Sequence, residues 1–213
     1  MSNEHAETLA WLYGELARLN LNYGSTGNVS CRQGDHLLIS PTGATAASLR
    51  PEQMVRVKLG GKPETGTSPS SEWAMHAAVY ESCPDAEWVV HTHADACTAL
   101  ACLGEPLPAF HYIVLGFGGH EVPCAPYATF GTPALADSVR RTLPGYKACL
   151  LENHGMICHG RDAAGALAAA VRLETLARQY MLARAAGRPR LLTEPEIADA
   201  RLRYRSYGQP VSA

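Results

Sequence analysis

Trp88-Val89-Val90-His91-Thr92-His93 decides how the rest of this chain is read. Its first three residues favour extended backbone, and side chains along a strand alternate faces with a period of two. His91 and His93 therefore point the same way at the end of a strand, close enough to hold one metal ion. A third imidazole, His154, follows another apolar run, Ala148-Cys149-Leu150-Leu151, and a carboxylate stands in Ser70-Ser71-Glu72. Three histidines and a carboxylate suit zinc or another divalent first-row metal. Two plainer readings compete. The histidine pair can be inert and hydrogen-bonded, and Glu72 can serve only the first turn of a helix.

On either side of that strand the pattern alternates between short strands and helices. Leu9, Leu12, Leu16 and Leu19 recur at helical spacing and predict an amphipathic helix over about 4–22. Asn28-Val29-Ser30-Cys31 and His36-Leu37-Leu38-Ile39, with Gly34-Asp35 between them, predict an antiparallel hairpin, and Val55, Val57 and Leu59 alternate as a third strand. A loop over 62–69, rich in Pro, Gly, Ser and Thr, brings Ser70 and Ser71 to a helix start, where serine is a favoured cap. Downstream, helices are predicted over 95–102 and 133–143, a short strand over Tyr112–Leu115, and sharp turns or close approaches at Gly116, Gly118 and Gly119. Strands over 148–151 and 156–159 precede a long helix from an Asp162 cap to about Gly187, with Leu167, Val171, Leu176 and Tyr180 near one face. A last helix opens at Thr193, with Glu196 completing a capping box. Antiparallel hairpins with flanking helices predict an α/β layered fold, its central sheet largely antiparallel, in a single domain over 1–213. No dinucleotide fingerprint and no P-loop is present.

Composition removes several function classes. A net charge of −2 over 213 residues gives no electrostatic case for nucleic acid or an acidic membrane. No apolar run approaches the roughly 18 residues of a membrane span, and the polar, acidic Met1–Thr8 is unlike a signal peptide. Seven cysteines with no Cys-x-x-Cys pair argue against a disulfide framework and a zinc ribbon, so they are expected as thiols in a reducing cytoplasm.

Three small polar clusters, Gly27-Asn28, Thr42-Gly43 and Ser70-Ser71, offer backbone N–H groups and short donors beside a glycine or a helix start. An uncharged protein surface can hold a phosphate in that way, which points to a phosphorylated substrate. Turn chemistry explains any one cluster alone. Lys58, Lys62 and Lys147 lie in polar or edge contexts, unlike a Schiff-base lysine. His76, four residues after Glu72 on the same helical face, reads as a satisfied core histidine in preference to a support for Glu72. His120 and His159 are assigned no role.

The order and combination of several pieces carry a resemblance over nearly the whole chain. They are Gly27-Asn28-Val29-Ser30, Ser40-Pro41-Thr42-Gly43, Pro69-Ser70-Ser71-Glu72-Trp73, His91-Thr92-His93, His111-Tyr112, Pro123 to Thr132, Asn153-His154-Gly155 and Tyr207-Gly208. Together they resemble the class II aldolase/adducin-head family, on its aldolase branch. That resemblance implies that His91, His93 and His154 bind zinc, with Glu72 as ligand or acid/base according to the catalytic stage. It implies a phosphate pocket from Asn28, Thr42, Gly43, Ser70 and Ser71, and a proton-transferring Tyr112 that reaches across a subunit interface. Phe130 and Tyr207 match aldehyde-side residues. The implied assembly is a four-fold homotetramer with active sites between subunits. The implied reaction is reversible cleavage of a ketose 1-phosphate, of the L-fuculose 1-phosphate kind, to dihydroxyacetone phosphate and a small aldehyde. Sibling activities are pentulose-5-phosphate 4-epimerisation and decarboxylation of sugar-acid phosphates. The His111–His120 region resembles the aldolases more than the epimerases, and serines before Glu72, with no lysine there, weigh against the decarboxylases. A metal-free scaffold like the adducin head is the non-catalytic alternative, and retention of all four candidate ligands argues against it.

Overall fold

The computed structural model describes residues 4–204. Its chain order is α1 (Glu4–Arg18), β1 (Asn28–Gln33), β2 (His36–Ile39), β3 (Val55–Lys58), α2 (Trp73–Ser82), β4 (Trp88–Thr92) and α3 (Asp95–Ala101). There follow β5 (Leu107–Pro108), β6 (Glu121–Val122), β7 (Cys124–Ala125), α4 (Pro133–Thr142), β8 (Ala148–Leu151), β9 (Gly155–Gly160), α5 (Ala163–Ala186) and α6 (Glu194–Tyr204). Seven strands form one sheet in the order β3-β2-β1-β4-β9-β8-β7, and β5 pairs with β6 apart from it. Every pairing in the large sheet is antiparallel except β7 with β8. The expected mixed layered fold, with a largely antiparallel sheet between helices, is the one observed.

The histidine strand is central because it is apolar on both faces. Val90 joins a cluster with Leu9, Leu12 and Leu16 of α1, Cys97 and Leu100 of α3, and Leu173 and Leu176 of α5. Its neighbour Val89 joins the opposite cluster, with Met75 and Val79 of α2 and Val139 of α4. Adjacent residues of one strand thus serve two cores, as period-two alternation requires when helices cover both sides. Fully burying a side chain of this size is worth about 1.5–3 kcal/mol, so the two layers clamp β4 firmly. Among the described residues, no helix is long and apolar enough to cross a membrane.

Several expectations need correction. α1 ends at Arg18, and Asn20 adopts a left-handed φ of 58° two residues later. The strand expected over Tyr112–Leu115 is a 3₁₀ helix over Tyr112–Phe117. Its β-branched run favours a strand, but His111 Nδ1 accepts the Ile113 N–H at 3.2 Å and turns the chain instead. Glycine does meet close approaches there: a Cβ on Gly118, at φ 109°, would lie 2.3 Å from the Gly145 carbonyl oxygen. On α5 the buried stripe is set by alanines, Ala163, Ala166, Ala170 and Ala177, with Leu173, Leu176 and Tyr180, while Val171 faces out. Asp162 caps α5 as expected, accepting the Gly165 N–H. Glu196 accepts the Thr193 N–H at 2.8 Å, but the Thr193 hydroxyl donates to Glu196 as well, so only half of that capping box forms.

Candidate metal centre

β4 ends at Thr92, with His91 within it and His93 one residue beyond. His154 lies in the turn that joins β8 to β9, and antiparallel pairing sets Thr92 opposite Met156, which carries this turn to the end of the histidine strand. The turn needs Asn153 at φ 54° and a glycine at 155, where a Cβ would stand 2.4 Å from the Thr92 carbonyl oxygen. Glu72 comes from the opposite side, immediately before α2. It occupies the N-cap position, yet its carboxylate makes no capping hydrogen bond. The carboxylate therefore does not cap α2 by a hydrogen bond. Its own N–H is held by Ser70 Oγ at 3.3 Å, and the carboxylate is free to turn toward the histidines.

Glu72, His91, His93 and His154 each contribute one ligand atom to a group lying within 4.8 Å of one another. The three imidazole rings stand edge to face, with centroids 4.8–4.9 Å apart. His91 Nδ1–H donates to the Met156 carbonyl at 2.8 Å, which leaves the Nε2 lone pair pointing inward. That lone pair meets His93 Nε2 at 3.0 Å and Glu72 Oε2 at 3.0 Å. Glu72 Oε1 is 3.3 Å from His154 Nε2 but has no hydrogen bond of its own, although it is buried. With His91 held as an inward acceptor, only His93 and His154 can turn an N–H into the group, and Glu72 Oε1 is left buried without a hydrogen bond. A divalent cation satisfies them together, and the donor set fits one. The charge balance agrees. Burial, with His91 and His154 nearby, pushes His93 down to about 4, and burial beside His91 does the same for His154. Both rings are thus neutral near pH 7 with lone pairs available. Burial opposes a charge on both Glu72 and His91, but each outweighs it for the other: His91 holds the carboxyl well below its ordinary range and the carboxylate raises His91, so the corner favours a positive charge beside Glu72.

Two supports were not legible in the sequence. Ala94 begins α3 without a side-chain oxygen, and Glu174 of α5 takes that place by accepting the Ala96 and Cys97 N–H groups at 2.9 Å. This fixes the backbone just after His93. Glu152 Oε2 accepts the Tyr127 N–H at 2.8 Å and ties the 126–132 loop to the turn that carries His154.

Beside the four ligands opens a cavity of about 350 Å³. All three polar clusters line it: Gly27 and Asn28, Thr42 and Gly43, Ser70 and Ser71. The Pro41–Pro69 bridge and the Ser70 N–H to Ser40 carbonyl bond, at 3.0 Å, zip the second and third clusters together. Those bonds correct one expectation. The Thr42 and Ser70 N–H groups are spent on Ser68 and Ser40, so these residues offer hydroxyls to a ligand. The Gly43 and Ser71 N–H groups have no internal partner among the described residues. Phe130 lines the same cavity at its mouth, with Tyr127 and Asn153, two residues to which the sequence reading gave no role. Tyr112 does not line the cavity; it is exposed, stacked on the His111 ring. Tyr207 lies outside the described residues.

The family model described as class II aldolase and adducin N-terminal domain matches residues 7–181. The chain belongs to that family. It is 44% identical over 195 residues to the L-fuculose phosphate aldolase of Escherichia coli strain K12, a match covering 91% of each chain. It is 43% identical over 194 residues to the 5-methylthioribulose-1-phosphate/5-deoxyribulose-1-phosphate aldolase of Rhodospirillum rubrum, covering 91% of this chain and 88% of that one. A solved L-fuculose 1-phosphate aldolase superposes with a TM-score of 0.90 at 31% identity, covering 96% of this chain and 98% of the other. The protein is thus an enzyme, an aldehyde-lyase of the class II aldolase family, and the family resemblance read from its motifs stands.

Proposed function

We propose that this aldolase cleaves a ketose 1-phosphate, L-fuculose 1-phosphate or a close relative, to dihydroxyacetone phosphate and a small aldehyde. The observation that carries the reading is one cavity lined both by members of the Glu72, His91, His93 and His154 cluster and by the uncharged polar residues Asn28, Thr42, Gly43, Ser70 and Ser71. His91, His93, His154 and Glu72 would hold zinc or a similar ion. When bound, such an ion supplies Lewis-acid polarisation of a carbonyl. The chain supplies the rest. Asn28, Gly43, Ser71 and the Thr42 and Ser70 hydroxyls orient the phosphate, which places the carbon beside the ketone against Glu72. Glu72 then moves a proton on and off that carbon, and Tyr112 takes the proton from the hydroxyl on the carbon that leaves as aldehyde. Phe130, which lines the cavity, serves the aldehyde half, and Tyr207 is assigned to the same half by its motif alone. The whole of 1–213 acts as one domain in the cytoplasm.

Screening phosphorylated ketoses for release of dihydroxyacetone phosphate tests the reading directly. Ser71→Ala is expected to lower catalytic efficiency toward the best ketose phosphate and to narrow its advantage over the unphosphorylated sugar. An unchanged advantage would place the phosphate elsewhere.

Exposure of Tyr112, away from its own chain's cavity, supports a site completed between subunits of a homotetramer. Light scattering should then report four chains. Mixing Tyr112→Phe with His93→Ala subunits, each inactive alone, should restore part of the activity in mixed oligomers. No recovery after proven subunit exchange would return Tyr112 to its own chain or remove it from the reaction.

A further inference from the structure

The face of α2 that meets β1 carries a row of polar side chains through an otherwise apolar layer. Glu72, His76 and Tyr80 recur every four residues at the start of the helix and along it, and Asn28, Ser30 and Arg32 recur every two along the strand. These periods bring one row against the other. Ser30 and His76 are 0% exposed, Tyr80 1%, and Asn28 and Glu72 6%. Asn28 Nδ2 donates to Glu72 Oε2 at 3.0 Å, and Asn28 Oδ1 lies 2.5 Å from His76 Nε2. Ser30 Oγ is 2.7 Å from both His76 Nδ1 and the Tyr80 hydroxyl. Arg32 closes the far end, donating to the Tyr80 carbonyl at 2.6 Å with its guanidinium 5.6 Å from the ring centroid.

The direction of every proton in this row follows from its first member. An ionised carboxylate only accepts, so Asn28 must turn its NH₂ to Glu72 and its carbonyl to His76. His76 must then carry its proton on Nε2, which leaves Nδ1 to accept from Ser30. With its only proton committed, Ser30 accepts from the Tyr80 hydroxyl. A buried polar row is stable when each member is satisfied, and here each link has one donor and one acceptor.

We propose that His76 is a positioning residue, holding the Asn28 amide in the single orientation that serves both the metal centre and the substrate. One N–H of Asn28 Nδ2 steadies the Glu72 carboxylate, and the same NH₂ carries a second N–H on a residue that lines the cavity. With His76 gone, the Asn28 carbonyl is left buried without a donor, and the bond to Glu72 alone holds the amide, so its position beside the carboxylate and the cavity slackens. Ser30 and Tyr80 act through His76 by holding its ring in place, Ser30 at Nδ1 and Tyr80 behind Ser30. The statement about substrate rests on the proposed function; the statement about Glu72 does not.

Side-chain ¹⁵N spectra of the metal-loaded wild-type protein should show His76 neutral and protonated on Nε2. A folded His76→Leu protein should load Co²⁺ with an altered visible spectrum before any substrate is added. Its efficiency toward the ketose phosphate should fall by about 10- to 100-fold, the range for partners that orient metal ligands. His76→Gln, whose amide can donate to Asn28 and accept from Ser30, should recover most of both signals. A proton on Nδ1, a doubly protonated ring, or a folded His76→Leu protein with the wild-type cobalt spectrum and efficiency would overturn the proposal. Should His76→Leu fail to fold, the wild-type tautomer and the His76→Gln spectrum decide alone. The expected tautomer and cobalt signature in a protein that cleaves no ketose phosphate would leave the proton row intact and remove the proposed reaction.

Discussion

Glu72→Gln is expected to give a folded protein that retains its metal and has lost aldol cleavage. The same variant should lose exchange of solvent deuterium into dihydroxyacetone phosphate. Both losses should reach about 100-fold or more, the range for removal of a general acid/base. The geometry makes this substitution a sharp test. Glu72 sits where a capping residue would sit, but its oxygens turn away from the helix, one to Asn28 and His91 and the other toward His154 without a hydrogen bond. Glutamine keeps the shape, and three imidazoles still face the site. It removes the carboxylate's ability to collect a proton. A residue whose work was helix capping would cost about 1 kcal/mol of stability when replaced and leave exchange untouched. Thermal melts, metal content and exchange measured on one preparation separate the two roles. Normal exchange in a folded, metal-loaded variant would transfer the base to another residue, with Tyr112 next to be tested.

What could be read from the sequence was what rests on short periods. Val89 and Val90 alternate into two cores within the strand, and His93, one residue past its end, still comes out beside His91. The hairpin at Gly34-Asp35 and the Asp162 cap are likewise decided within a few residues. The misreadings have a different origin. Tyr112-Ile113-Val114 has strand-forming side chains, but the His111 ring captures the Ile113 N–H, and a side-chain bond to backbone leaves no trace in hydropathy. Glu174 caps a helix 77 residues away in sequence through the Cys97 N–H, and a backbone donor does not announce its acceptor. Hydropathy draws the buried stripe of α5 through Val171 because valine is more apolar than alanine, yet close approach to the sheet selects small side chains: a Cβ on Gly160 would lie 2.5 Å from the Ala166 nitrogen. His76 is the satisfied core histidine that its sequence position suggests, bonded at both ring nitrogens. The four-residue spacing from Glu72 to His76 to Tyr80, matched to the two-residue spacing from Asn28 to Ser30, was present in the sequence, but only the pairing of α2 with β1 makes those numbers meet.

Removing the metal should have the other large effect. Purified protein is expected to carry about one zinc, or a similar divalent ion, per chain; chelation should abolish cleavage, and added metal should restore it. His91 Nε2, His93 Nε2, His154 Nε2 and the Glu72 carboxylate crowd one corner of the cavity, Glu72 Oε1 has no hydrogen bond, and His91 cannot reverse its ring without surrendering its bond to the Met156 carbonyl. Without a cation, these groups repel, and the strain falls on the β8–β9 turn and on the start of α2, the two segments that bring His154 and Glu72 in. Metal loss should therefore lower the melting temperature as well as the rate. A ligand present at about 1,000 times its dissociation constant stabilises the folded state by about 4 kcal/mol, which a thermal melt resolves easily. His93→Ala separates the two consequences. It deletes one ligand outside the strand proper, so β4 and both cores should survive while metal content and cleavage fall together. Full activity in a chelated protein shown to contain no metal would remove the metal centre from the reaction. It would leave the four converging side chains to be explained as a proton-binding cluster.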